Sequence, residues 1–136
     1  MQDDAILYAG PFRCRPGGLS VTRTFGDIEA KREDLGGKPG VVIPDPEIST
    51  RIIDGDDDFV IMGSDGIFDA LENEDIIMTV WDTFRQLKYI LPNPEKCYQD
   101  ILGQAVVNVM KKSLVRGSED NVTVMIICFR NLLELV

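Results

Sequence analysis

Phe59-Val60-Ile61-Met62-Gly63-Ser64-Asp65-Gly66-Ile67-Phe68-Asp69 is an apolar run that stops at a small, polar turn. Phe59 to Met62 have the character of a buried strand, and Gly63 to Gly66 end it. A buried strand that ends in Asp-Gly delivers a carboxylate to a fixed edge of the core, because glycine accepts a turn that other residues resist. Asp65 has two readings: a metal ligand or catalytic carboxylate on a rigid element, or part of an ordinary strand-ending turn. Asp-Gly alone is a common turn signal and favours the second.

A second stretch changes the balance. Arg116-Gly117-Ser118-Glu119-Asp120-Asn121-Val122-Thr123-Val124-Met125-Ile126-Ile127-Cys128-Phe129 puts the polar turn first and the apolar, β-branched run after it. Asp120 then stands at the start of a strand, as Asp65 stands at the end of one. If the two strands are antiparallel neighbours, both carboxylates reach the same edge of a sheet. Hard divalent cations take several carboxylate oxygens at such a place.

Three stretches occur in order along the chain: Gly18-Leu19-Ser20-Val21-Thr22-Arg23-Thr24-Phe25-Gly26-Asp27, Ser64-Asp65-Gly66-Ile67-Phe68-Asp69, and Gly117-Ser118-Glu119-Asp120-Asn121-Val122-Thr123. Together they resemble the C-terminal half of the metal-dependent protein serine/threonine phosphatases, protein phosphatase type 2C. The resemblance covers nearly all of residues 1–136. It implies an α+β fold, part of a four-layer α-β-β-α sandwich with two antiparallel sheets between helix layers. It implies hydrolysis of phosphoserine and phosphothreonine esters in signalling, with Mg2+ or Mn2+ as a binuclear pair in the complete domain.

The resemblance also assigns residues. Asp65 and Asp120 fall on positions that bind the first metal. Asp69 is a candidate for a further metal or for hydrogen bonding within its turn. Ser64 and Gly66 shape the turn, Ser118 caps or braces the loop that bears Asp120, and Asn121 orients its neighbour through backbone contacts. Arg23 and Asp27 read as a structural charged pair or hydrogen-bond anchor. The family's bridging aspartate, in an Asp-Gly-His-Gly-Gly context, belongs to the N-terminal half. So do its other acidic ligand, its phosphate-binding arginine and its proton-donating histidine. None is present here, and the chain has no histidine at all. The expectation is a fragment that supplies part of the metal site and is inactive alone. The alternative is a truncated, non-catalytic module that binds protein partners, although two retained carboxylates count against it.

Half a sandwich cannot bury both of its sheets, and an exposed inner face would aggregate. The implied partners are therefore a phosphoprotein substrate and either the missing N-terminal half or a second copy of the chain. The net charge of -9 argues against nucleic acid and against an anionic membrane. A solvated acidic surface accounts for most of that charge. Cys14, Cys97 and Cys128 are odd in number, far apart and without zinc-type spacing, which points to a reducing, intracellular setting, cytoplasmic or nuclear. No apolar run has membrane length.

The rest of the chain follows from periodicity. Leu19, Val21 and Phe25 are expected to pack inward, and Ile28 to Gly40 to form a surface loop, with room for one helical turn. Ile48 to Ile53 reads as a strand, and Asp54-Gly55 as a hairpin turn into Phe59. Asn73 is expected to cap a helix that runs to about Lys88, with Ile76, Ile77, Val80, Trp81, Phe84 and Leu87 as its stripe. Pro94 is expected in the first turn of a second helix, with Tyr98, Ile101, Leu102, Ala105, Val106, Val109 and Met110 inward and its end at Lys111-Lys112. Strands, two helices and a strand make an α+β pattern.

Overall fold

The computed structural model describes residues 12–136. They belong to two compact units, Met1–Arg51 and Ile52–Val136.

In the second unit, β1 (Phe59–Gly63) pairs antiparallel with β2 (Val124–Cys128). The register sets Ile61 opposite Ile126, Met62 opposite Met125 and Gly63 opposite Val124. Side chains alternate across a strand, so one register defines two faces. Ile126 is buried, with Phe59, Ile61, Val124 and Cys128 packed against the same core. Val60, Met62, Met125 and Ile127 occupy the other face and are exposed.

Helices cover the inner face. A one-turn helix α2 (Asp65–Phe68) follows β1 at once, and α3 (Asn73–Ile90) and α4 (Tyr98–Val115) pack on each other behind the sheet. Ile76, Val80 and Phe84 from α3 meet Ile101, Ala105 and Val109 from α4 in one core. Fully burying an aliphatic or phenyl side chain of this size contributes roughly 1.5–3 kcal/mol, and this layer contains six such positions or smaller ones. Phe84 stacks at a tilt on Tyr98 with ring centres 5.5 Å apart, and Trp81 meets Phe59 edge-on at 5.7 Å. Asn108 Nδ2 donates to Thr83 Oγ1 at 2.9 Å and fixes the register of the two helices.

The inward stripes are those the periodicity predicts, except that Ile77 is exposed. The helix ends differ. Glu72, not Asn73, is the N-cap residue of α3, and no side chain caps it; Asn73 is already helical. Glu74 and Asp75 in the first turn still complement the positive end of the helix. Helix α4 begins at Tyr98, not at Pro94, because residues after Asn93 form a turn closed by Cys97 N–H to Pro94 O at 3.1 Å. It continues past Lys112 to Val115.

Two strand expectations fail. Residues 48–53 form no strand: Ile48 and Ile52 are 84% and 86% exposed, so their side chains bury nothing that would fix an extended segment. The acidic run is a turn but not a hairpin: Asp57 N–H meets Asp54 O at 3.2 Å, and only β1 follows as a strand. Among the described residues the sheet at β1 and β2 has two strands, and the second sheet of the expected sandwich is not among them.

In the first unit, Cys14 bridges Leu19 across the turn at Pro16-Gly17-Gly18, where Gly17 and Gly18 take left-handed φ values of 105° and 65°. The loop expected over Ile28 to Gly40 carries its one helical turn as α1 (Ile28–Lys31) and adds a 3-10 turn (Glu33–Leu35). Ala30 and Val42 are buried, whereas Val21 and Phe25 are exposed, the latter by 88%. The run Leu19–Asp27 is held by polar contacts instead. Lys31 Nζ donates to the carbonyls of Thr24 and Gly26, each at 2.7 Å. No described helix is long and apolar enough to cross a membrane.

Candidate functional site

The strand ends next to the Gly63–Val124 pair are stitched by Ser64. Its N–H donates to Thr123 O at 3.0 Å, its Oγ donates to Asn121 O at 2.9 Å, and the same Oγ accepts from Thr123 N–H at 3.1 Å. A serine does this because its hydroxyl both donates and accepts. The chain then turns into α2, and Gly66 comes so close to the other loop that an added Cβ would lie 2.5 Å from Asn121 O. Ser118 Oγ donates to Gly66 O at 2.7 Å. Gly117, at φ 91°, supplies the left-handed step that ends α4 and admits this loop.

These bonds bring Asp65 and Asp120 to one end of the sheet. Asp65 Oδ1 accepts from Gly66 N–H at 3.0 Å, and Asp120 Oδ1 accepts from Asn121 N–H at 2.7 Å. Each carboxylate keeps its second oxygen free of hydrogen bonds from described residues and is exposed. Asp69 closes α2; its N–H meets Asp65 O at 2.8 Å. Asp65, Asp69 and Asp120 make no ion pair with described residues. Asp69 and Asp120 share a depression of about 360 Å³ with Gly66, Ser118, Glu119 and Arg116. Asp65 is not on its wall, and among the described residues no three acidic or cysteine side chains converge as a metal cage.

Ser118 braces its loop from the place its motif gives it, Ser64 stands in the turn and also reaches across to Asn121, and Asn121 orients Asp120 through its own N–H. Arg23 and Asp27 do not pair. Arg23 donates to Asp45 O at 2.6 Å and to the Glu47 carboxylate at 3.1 Å, because the extended segment after Ile43 lies alongside it. Asp27 instead takes a left-handed φ of 47° just before α1. Arg116 and Glu119 have no role in the motif reading. The signal for Arg116 is its place directly before Gly117-Ser118.

Close to this end of the sheet's helix layer, Asp75 is held by two cations. Lys112 Nζ lies 2.8 Å from Oδ1 and Arg116 Nη2 lies 3.5 Å from Oδ2. The hydrogen bond from the Lys112 ammonium, aided by Arg116, holds the Asp75 carboxyl below the usual carboxylate range.

The donor set at the sheet edge is all oxygen, exposed and anionic, which fits a hard divalent cation as a partial shell. The protein phosphatase 2C family model matches residues 13–122. A protein kinase and PP2C-like domain-containing protein of Arabidopsis thaliana is 35% identical over 119 residues, which are 88% of this chain and 15% of that protein. Probable protein phosphatase 2C 47 of Oryza sativa subsp. japonica is 34% identical, over 83% of this chain and 25% of its own length. The PP2C-like domain-containing protein R307 of Acanthamoeba polyphaga mimivirus is 33% identical, over 85% of this chain and 62% of its length. No solved structure gives a significant match. The chain belongs to the protein phosphatase 2C family. It spans less than two thirds of each of these relatives.

Proposed function

We propose that residues 1–136 are the C-terminal portion of a metal-dependent protein serine/threonine phosphatase domain and supply part of its metal site. The observation that carries the reading is the Ser64–Asn121 and Ser118–Gly66 stitching, which places the carboxylates of two family motifs at one sheet end. Asp65 and Asp120 would hold Mg2+ or Mn2+ through the oxygens that their local amides leave open, with Asp69 as a further ligand. Bound divalent cations of this kind lower the pKa of a water and neutralise phosphoryl oxygens. Ser64, Gly66 and Ser118 keep the two carboxylate-bearing turns at a constant spacing. The chain has no histidine to donate a proton, so hydrolysis of a phosphoserine or phosphothreonine ester needs groups from beyond these residues.

The outer face of β1 and β2 supports the same reading. Val60, Met62, Met125 and Ile127 form an apolar surface that a further layer of the domain, or a second copy of the chain, would cover. An intracellular setting, cytoplasmic or nuclear, belongs to the proposal too. It rests on Cys14, Cys97 and Cys128, all free thiols.

The test is Mn2+-dependent release of phosphate from a phosphothreonine peptide by the chain, alone and combined with the N-terminal half of a 2C phosphatase domain. Hydrolysis only in the combination, lost with Asp65→Asn or Asp120→Asn, is expected. Hydrolysis in the combination that both variants leave unchanged would overturn the assignment.

A further inference from the structure

Arg116 is the only cation among the described residues that line the depression, whose wall also carries Asp69, Glu119 and Asp120. A phosphomonoester carries up to two negative charges near neutral pH, and an approach lined only by carboxylates repels it. The wall on which Arg116 stands is fixed. Arg116 ends α4, with its N–H on Lys112 O at 3.0 Å, and Gly117 and Ser118 follow it into the stitched loop.

The guanidinium is held in place, but loosely. Its one ionic partner among the described residues is Asp75, at 3.5 Å, and Asp75 is already engaged by Lys112 at 2.8 Å. The Arg116 side chain is 57% exposed. An exposed, shared, single-contact ion pair contributes little to stability, so most of the guanidinium's donors stay available. A guanidinium presents its donors as a planar fork that matches two phosphoryl oxygens.

We infer that Arg116 receives the phosphoryl group of the substrate at the rim of the depression, and that Asp75 parks its side chain there between turnovers. The inference rests on the phosphatase reading above and adds a specificity-determining residue to it. Lys112 takes no part, because its ammonium is committed to Asp75 and to Thr79 Oγ1.

The experiment separates the two levels. The chain is titrated with Mg2+, and then with inorganic phosphate and with a phosphothreonine peptide. Binding is read from the amide resonances of Gly117 and Ser118. Arg116→Ala is expected to weaken phosphate binding about tenfold, the scale of one charge-assisted hydrogen bond, with Mg2+ binding unchanged. Arg116→Lys is expected to recover part of it, since charge remains and the fork is lost. Asp75→Asn frees the guanidinium and is expected to keep or strengthen phosphate binding. Equal phosphate binding by wild type and Arg116→Ala, with Mg2+ bound, overturns the inference and leaves the phosphatase reading standing. So does wild type that binds Mg2+ but no phosphate. Weakening by Asp75→Asn in a folded chain, equal to that of Arg116→Ala, overturns it too, because the ion pair alone would then be at work. Failure of wild type to bind Mg2+ overturns the reading and the inference together.

Discussion

Ser118 Oγ donates to the carbonyl of Gly66 at 2.7 Å and so ties the loop that carries Asp120 to the turn that carries Asp65. Gly66 is buried, so this carbonyl has little water to fall back on. Ser118→Ala removes the donor and is expected to cost about 1–3 kcal/mol, read as a lower urea midpoint. Mn2+ affinity is expected to fall with it, because the spacing of the two turns loosens. A Ser118→Ala chain with unchanged midpoint and unchanged Mn2+ affinity would show that the bond braces nothing.

Gly66 is needed for closeness rather than for an unusual φ. An alanine Cβ there would meet Asn121 O at 2.5 Å, a backbone atom that cannot rotate aside. Gly66→Ala is expected to destabilise by about 1–3 kcal/mol despite alanine's better helix propensity. Thermal melting of Gly66→Ala beside Gly103→Ala makes the comparison, because nothing lies within 4 Å of a Cβ built at Gly103. Gly103→Ala is expected to hold or raise the melting temperature.

Lys112 and Arg116 depress the pKa of Asp75 in the folded chain. A depressed carboxyl stabilises the fold fully above its unfolded pKa, about 3.9. That stabilisation disappears as pH falls through the lower, folded value. Wild type is therefore expected to melt higher than Asp75→Asn near pH 7, with the gap closing below about pH 4. A gap that is constant from neutral to acid pH would place the stabilisation elsewhere.

Tyr98 offers a probe of the sheet's opposite end. Its hydroxyl donates to Arg130 O at 3.3 Å and accepts from Leu132 N–H at 3.4 Å. Burial, aided by the neighbouring Cys128, pushes its pKa up to about 12. Since the folded value is raised, the contribution is complete below the unfolded pKa of about 10 and is lost as pH rises toward 12. Ultraviolet titration is expected to show one late-ionising tyrosine that Tyr98→Phe removes. A single step near 10 in wild type would contradict this packing.

Where a residue's role is set by its immediate neighbours, the sequence shows it. Ile76, Val80 and Phe84 recur with helical spacing, and all three are buried against α4. Motif position marks Ser118 as a cap or brace, and its hydroxyl does hold Gly66 O; the reach of Ser64 across to Asn121 and Thr123 goes beyond the turn-shaping place its motif gives it. Helix starts are less legible: Asn73 and Pro94 are good terminal residues locally, but α3 is capped one residue earlier at Glu72 and a turn closed on Pro94 O delays α4 to Tyr98. The strand expected at Ile48–Ile53 needed a partner, and partners are not written in local pattern. Arg23 shows the same limit, since its contacts with Asp45 and Glu47 depend on a bridge to Ile43. Arg116 stands directly before the Gly117-Ser118 motif, but its place on the wall of the candidate site comes from the end of α4, which the motif does not include.

The measurement closest to the central claim is Mn2+ binding by the chain, followed by calorimetry, beside Asp65→Asn, Asp120→Asn and Asp57→Asn. Asp57 lies in the densest acidic run of the chain, Asp54 to Asp58, and so controls for surface charge. The account predicts that the first two variants each weaken binding at least tenfold and that Asp57→Asn leaves it unchanged. Equal loss in all three would mean that the acidic surface, and not the sheet edge held by Ser64 and Ser118, binds the ion.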